Sequence, residues 1–178
     1  VGSVSGVEGT GQVYVEGNKD AKAKLFNREC DVFTTDASGL ASARAGAEVP
    51  GDWIVLPEII SKEPLGPLVR QGDQEWEDVI RWTHFIMINA EEAGITSENV
   101  DSMLDSKNKE VLRNLGEEGY IGPMLGLGMK FGYNIIKQVG NYGESFERNV
   151  GPNTPLELER GLNNLWKNGG VMYVPPIR

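Results

Sequence analysis

Residues 30–45 read CDVFTTDASGLASARA, and this stretch sets the expected fold class. Cys30 to Thr35 is apolar and rich in β-formers, the composition of a buried strand. Asp36 breaks that run. Ser38 to Ala45 is then a series of small, helix-compatible residues whose N-cap is Ser38 or Asp36. A buried strand feeding a capped helix is the building unit of an α/β architecture. Ligands of such folds gather at the carboxyl ends of strands. Asp36 therefore has two readings: a plain helix cap, or a carboxylate that holds an ammonium by charge-assisted hydrogen bonds, with the hydroxyls of Thr34 and Thr35 beside it.

Upstream, Val4 to Val7 reads as a short strand entering a Gly9-Thr10-Gly11 turn, and Asp20 to Phe26 as a short helix. A Gly-Thr-Gly turn after a strand leads backbone N–H groups and a hydroxyl toward one point, which suits a carboxylate or phosphate. The same tripeptide also makes ordinary turns. Donors for a carboxylate at Gly9, Thr10 and Gly11, with an acceptor for an ammonium at Asp36, together match the two charged groups of a free α-amino acid.

Downstream, Pro50-Gly51-Asp52 is a turn and Trp53 to Leu56 a second apolar strand. Pro57, Pro64, Gly66 and Pro67 break regular structure and mark a passage between two units. Leu68 to Gln71 is a further short strand. The longest helix is expected from about Gln74 to Ala93, capped by Asp73 and stopped by Gly94. Trp76, Val79, Ile80, Thr83, Met87 and Ala90 form its apolar face, widened by Trp82, Phe85, Ile86 and Ile88. Further helices are expected over Asn99–Leu104, Lys109–Leu115, Tyr133–Val139 and Pro155–Asn168, with 116–132 as an irregular loop. The last of these has Thr154 as cap, Pro155 in its first turn and Gly169 as stop. The tail from Val171 to Arg178 reads as extended. Strands come first and helices dominate afterwards, so a sheet here must borrow strands from a missing segment or another chain.

Composition narrows the function classes. With 39% apolar and 24% charged residues the chain has a globular balance. The net charge is −9. Its single basic cluster, Lys19, Lys22, Lys24 and Arg28, is interrupted by Asp20 and Glu29, so no nucleic-acid face is expected. One histidine and one cysteine argue against a His/Cys metal site, and no cofactor is implied. His84 reads as a packing or surface histidine in the long helix, and Cys30 as an inert core thiol. Ser38-Gly39 lacks the spacing of a nucleophile elbow. The pairs Glu91-Glu92 and Glu117-Glu118 read as solvated. No nucleophile has a base, so an enzyme is not expected.

Four blocks then carry a resemblance: VLPEIISKEPLGPLVRQGDQEW (Val55–Trp76), RWTHFIMINAEEAGIT (Arg81–Thr96), YNIIKQVGNYGESFERNVGP (Tyr133–Pro152) and GGVMYVPPIR (Gly169–Arg178). They resemble periplasmic general L-amino-acid-binding proteins of the Aap/Bzt type, solute-binding protein family 3, from ABC transporters. The resemblance runs nearly from Cys30 to Arg178 and implies a C-terminal portion of such a protein.

It implies an α/β, type II periplasmic-binding-protein-like fold, with the second lobe plus the C-terminal part of the first. Residues 1–58 would be a shortened second lobe, and 59–178 the hinge crossing and the C-terminal part of the first lobe. It further implies that the strand-Gly-Thr turn at Gly9, Thr10 and Gly11 takes the ligand's α-carboxylate. The aspartate ending the CDVFTTD strand, Asp36, takes the α-ammonium, with Thr34 beside it. The partners implied are an L-amino acid and an ABC permease, and the location is the periplasm. The family's arginine for the carboxylate and its aromatic walls lie in the absent half of the first lobe. Ser5 stands where relatives carry the cysteine that pairs with that of the CDV segment. Two other readings stay open: a single-lobe fragment that self-associates without binding ligand, and a dehydratase on the same fold using Asp36 or Glu58.

Overall fold

The computed structural model describes residues 11–61 and 64–178. The chain divides into two compact units, residues 1–61 and 62–178. In the first, α1 (Asn18–Phe26) carries Asp20 in its first turn and Lys24 in its last, 3.3 Å apart, an i,i+4 pair that also suits the helix dipole. Its inner face is Ala21 and Leu25, again four apart, and both are buried. After the helix, Arg28 adopts a positive φ of 61°. Its guanidinium lies 5.1 Å over the Trp53 ring, which Phe26 meets edge-on at 5.2 Å. The second helix, α2 (Ala37–Ala45), is capped by Asp36 and buries Ala41 and Ala43. A single 3-10 turn at Pro50–Asp52 realises the expected Pro-Gly-Asp turn.

The segments expected as strands, Cys30–Thr35, Trp53–Leu56 and Leu68–Gln71, form no ladder among the described residues. They run largely without regular structure, and residues 70–73 close a turn through Asp73 N–H donating to Arg70 O. Among the described residues the one backbone bridge is Leu165–Met172. The physical reason is that a strand exists only through a neighbour's hydrogen bonds. Without one, the β-rich composition leaves apolar side chains in solvent: Ile54 is 81% exposed and Leu68 98%. The strand expected at Val4–Val7 lies outside the described residues.

The second unit is built around α3 (Gln74–Glu92). Asp73 accepts from Trp76 N–H at 3.2 Å, and Gly94, at φ 71°, follows the C-cap Ala93. Its C-terminal half is covered on two sides. Ile86 and Ala90 pack with Ile95, Val100, Val111, Leu115, Ile136 and Ile177. Ile88 packs with Leu165 and Val174, flanked by Phe85, Tyr142 and Met172. The N-terminal end of the expected apolar face is open, with Trp76 52% exposed. Short helices α4 (Val100–Met103) and α5 (Lys109–Leu115) follow, and Gly116, at φ 81°, ends the latter.

Residues 116–132 are not wholly irregular, because α6 (Ile121–Met124) forms within them. Next comes α7 (Phe131–Val139). Its Gly132 passes so close to α5 that a Cβ there would sit 1.8 Å from Asn114 O. The next helix, α8 (Tyr142–Asn149), was not anticipated. A full capping box starts it: Asn141 accepts from Glu144 N–H, and the Glu144 carboxylate accepts from Asn141 N–H. That carboxylate also accepts from Ser97 N–H and hydroxyl, tying α8 to the loop after α3.

The helix expected over Pro155–Asn168 is absent. In its place are turns and two 3-10 segments, Gly161–Asn163 and Trp166–Asn168. Glu157 and Gly161 both take positive φ, which an α-helix excludes. Backbone groups here bond across to other segments rather than along a helix: Leu158 N–H to Val150 O, Trp166 N–H to Met172 O, Met172 N–H to Asn164 O. Long-range anchoring of Leu165 in the core overrides the local Thr-Pro start signal. The extended tail follows the expectation, with Val174 and Ile177 buried.

Candidate functional site

Asp36 sits where an extended segment turns into α2, with φ −60° and ψ 152°, the usual backbone of an N-cap. Three donors meet its carboxylate. Ser38 hydroxyl and Gly39 N–H donate to Oδ2 at 2.7 and 3.0 Å. Thr35 hydroxyl donates to Oδ1 at 3.1 Å. The Ser38 hydroxyl, followed by the Gly39 amide, holds the Asp36 carboxyl below its ordinary range, and Thr35 adds to this. The partial positive charge at the start of α2 acts in the same sense. An ionised carboxylate offers about four acceptor directions. Among the described residues, Oδ2 receives two side-chain or backbone donors from other residues and Oδ1 receives Thr35.

Gly39 is part of this construction. A Cβ at that position would lie 2.9 Å from the Thr35 methyl and 3.2–3.3 Å from both Asp36 oxygens. Of the residues expected at the site, the structure brings Asp36 together with Thr35. Thr34 is exposed, and the hydroxyl on the carboxylate is its neighbour's. Gly11 is exposed and in no regular element; Gly9 and Thr10 lie outside the described residues. Ser38 and Gly39 were not anticipated as partners of the carboxylate, although the Asp-x-Ser-Gly spacing carries the signal of a cap with a second donor.

The remaining candidates serve packing. His84 is half-buried and meets Tyr142 edge-on at 5.6 Å, and burial lowers its pKa. Glu58 is exposed. The expectation that Glu91 is solvated is wrong. Glu91 makes a two-pronged ion pair with Arg160 at 3.0 and 3.1 Å, with both side chains about one-seventh exposed. Glu92 accepts from the Trp166 indole. No local pattern marks the Glu91 pair, because its partner lies 69 positions away. No helix among the described residues is long and apolar enough to cross a membrane.

No protein-family model matches the sequence. The general L-amino acid-binding periplasmic protein AapJ of Rhizobium johnstonii is 56% identical over 168 residues, which are 93% of this chain and 49% of that protein. The homologues of this chain are amino-acid-binding proteins of ABC transporters. A second relative of this kind, the glutamate/glutamine/aspartate/asparagine-binding protein BztA of Rhodobacter capsulatus, is 47% identical over 167 residues, 93% of this chain and 49% of the relative. The chain thus spans about half the length of the curated relatives it matches.

An ABC transporter periplasmic binding protein from Brucella ovis with glutathione bound matches with a TM-score of 0.87 and 49% identity, over 93% of this chain and 52% of that one. The chain carries part of the type II periplasmic-binding-protein fold, helix-rich in its described residues. The relatives are solute-binding proteins, which are not enzymes.

Proposed function

We propose that the chain is part of the solute-binding component of an ABC importer for L-amino acids, and that Asp36 accepts the ligand's α-ammonium. The carrying observation is the Asp36 carboxylate at the start of α2, which among the described residues receives the Ser38 hydroxyl and Gly39 amide on Oδ2 and the Thr35 hydroxyl on Oδ1. An ammonium has three N–H donors and seeks such an oxygen. Gly9, Thr10 and Gly11 are the proposed seat of the α-carboxylate, with Thr34 beside the ammonium. Residues 1–58 belong to the second lobe and 59–178 to the hinge crossing and the first. The division of the chain into units at Ser61/Lys62 supports this. Ligand contacts made only when two lobes close shift the population to the closed form, which then docks on the permease in the periplasm.

The ligand head group is also suggested by what the relatives carry. General L-amino acids, the four acidic and amide amino acids, and glutathione are the molecules in their names. All present a free α-ammonium and α-carboxylate on one carbon, since glutathione keeps both on its glutamyl end. Titration calorimetry with L-glutamine, L-glutamate and glutathione, and with 2-oxoglutarate as the ammonium-free control, tests the reading. Asp36→Asn keeps a good helix cap and removes the charge. It should weaken binding roughly 10- to 100-fold, the equivalent of a charge-assisted hydrogen bond worth about 1.5–3 kcal/mol. Equal heats with glutamate and 2-oxoglutarate, or an unaltered Kd in Asp36→Asn, would refute it.

A second reading is favoured by the exposed apolar side chains of Val32, Ile54, Leu56 and Leu68, on segments that pair with no other described residues. In this reading the chain is a partner-seeking piece that pairs these segments with strands of another polypeptide or a second copy, and holds no ligand alone. Light scattering that finds a monomer with full amino-acid binding would exclude it.

A further inference from the structure

The second unit holds a cavity of about 550 Å³ where the C-terminal tail lies beside α3 and α5, within the size range of small-molecule sites. Its frame is fastened by bonds around it. Asn89 Nδ2 donates to Pro175 O at 3.0 Å, and Val174 and Ile177 are buried in the core, so the tail is held against α3. The Trp166 indole N–H donates to Glu92 Oε1 at 3.0 Å, and its ring meets Tyr173 edge-on at 5.9 Å. These two rings form a half-exposed aromatic rim. Glu92 and Glu110 bring two carboxylates to the walls. Lys167 brings one ammonium, which donates to Glu92 O at 2.7 Å. Asn114, on α5, also lines the cavity, yet it is only 2% exposed. Its Nδ2 donates at 3.3 Å to Ile86 O, in the core and away from the cavity wall. Oδ1, the opposite corner of the amide, receives no donor from any described residue. Buried polar atoms are almost always paired, and an orphan at a cavity points to a group that completes it.

We propose that this cavity binds a small organic cation, an amine or guanidinium on an apolar stem, with Asn114 Oδ1 accepting one of its N–H groups. The cavity offers acceptors where the ligand must donate: the buried amide oxygen and the two carboxylates. An anion would meet Glu92 and Glu110 with only Lys167 to offset them. The aromatic rim favours the same ligand, since a cation is attracted to the faces of Trp and Tyr rings and an apolar stem packs on them. The cavity's volume exceeds what one side chain fills, which favours a whole small molecule over a single residue of a protein partner. The site is separate from Asp36 and does not rest on the amino-acid reading: every residue that lines it belongs to the second unit.

The test titrates the whole 15N-labelled chain with agmatine, which carries a guanidinium and an ammonium on an apolar stem and has no carboxylate. The reporter is the Trp166 indole N–H signal, identified by its loss in Trp166→Phe. It should shift saturably with agmatine and not with butanol, the uncharged control. Glu110→Gln, on an exposed side chain that the fold does not need, should weaken binding about two- to fivefold. Asn114→Leu keeps the volume and removes the orphaned oxygen. It should weaken agmatine about tenfold or more while the thermal midpoint is held or raised, because an unpaired buried acceptor is gone. No saturable indole shift by about 10 mM agmatine, where even a weak site fills, overturns the proposal and leaves solvent as the cavity's content. Unchanged affinity in both Glu110→Gln and Asn114→Leu, or a shift that disappears in Asp36→Asn, places agmatine elsewhere and overturns it too. Tighter binding of a blocked arginine peptide than of agmatine would make a protein side chain the occupant and overturn the small-molecule assignment.

Discussion

Replacing Arg160 with methionine should unlock the 151–170 segment from the second unit. Arg160 reaches back across the fold to Glu91 on α3 with both prongs of its guanidinium, at 3.0 and 3.1 Å. It donates from Nε and Nη2 to Asn163 O at 3.2 and 2.9 Å, and its guanidinium carbon lies 5.3 Å from the ring centres of both Tyr142 and Phe146. The close approach is possible because Gly143 has no side chain: a Cβ there would stand 3.0 Å from the guanidinium and from the Glu91 carboxyl carbon. Arg160→Met keeps the apolar stem and removes the fork. Breaking a fully buried pair by deleting one partner costs about 3–5 kcal/mol. With side chains 14% and 15% exposed, solvent screens part of this, and the expected loss is about 2–3 kcal/mol. Glu91→Leu combined with Arg160→Met removes the stranded carboxylate as well. The double variant should recover about 1–2 kcal/mol relative to the sum of the singles. Urea unfolding followed by tryptophan fluorescence measures all four proteins. A single variant within about 0.5 kcal/mol of the parent, or strictly additive singles, would show that the pair is an ornament of the surface and not the anchor of that segment.

Two further outcomes are expected. Gly132→Ala should lower the thermal midpoint by several degrees, since its Cβ would have to displace Asn114 O from 1.8 Å and pry α7 off α5; an unchanged melting curve would refute the close approach. His84 has its pKa lowered by burial, so on acidification the unfolded chain takes up its proton first, at about pH 6.5. Its contribution to stability is then complete above that pH, is lost as pH falls through the folded value, and is constant below it. His84→Gln should flatten stability between about pH 6.5 and the folded midpoint, and a histidine 13C titration at or above the ordinary value would contradict it.

Local patterns made much of this chain legible. The helix around Lys109–Leu115 was legible from its composition, and the long helix from its cap Asp73 and stop Gly94, because caps and stops act within one turn of the backbone they satisfy. Asp36 was readable as both cap and candidate ligand group for the same local reason. The capping box that starts α8, Asn141 with Glu144, was equally local and passed unread. What depended on distant partners was not legible. The β-rich runs at Cys30–Thr35 and Trp53–Leu56 carry strand composition, but a ladder needs a second strand, and propensity cannot supply one. The Thr-Pro start at 154–155 promised a helix that Leu165 burial, Arg160 and the pairing with Met172 dissolved into turns. Glu91 looked solvated until a residue 69 positions away closed on it. The sequence by itself determined the ends of the long helix, the core-facing positions of its C-terminal half and the resemblance to amino-acid-binding proteins. Only the tertiary structure decided which carboxylates are paired, and that the 155–168 segment folds as turns, because each of those depends on groups brought together across the chain that composition does not encode.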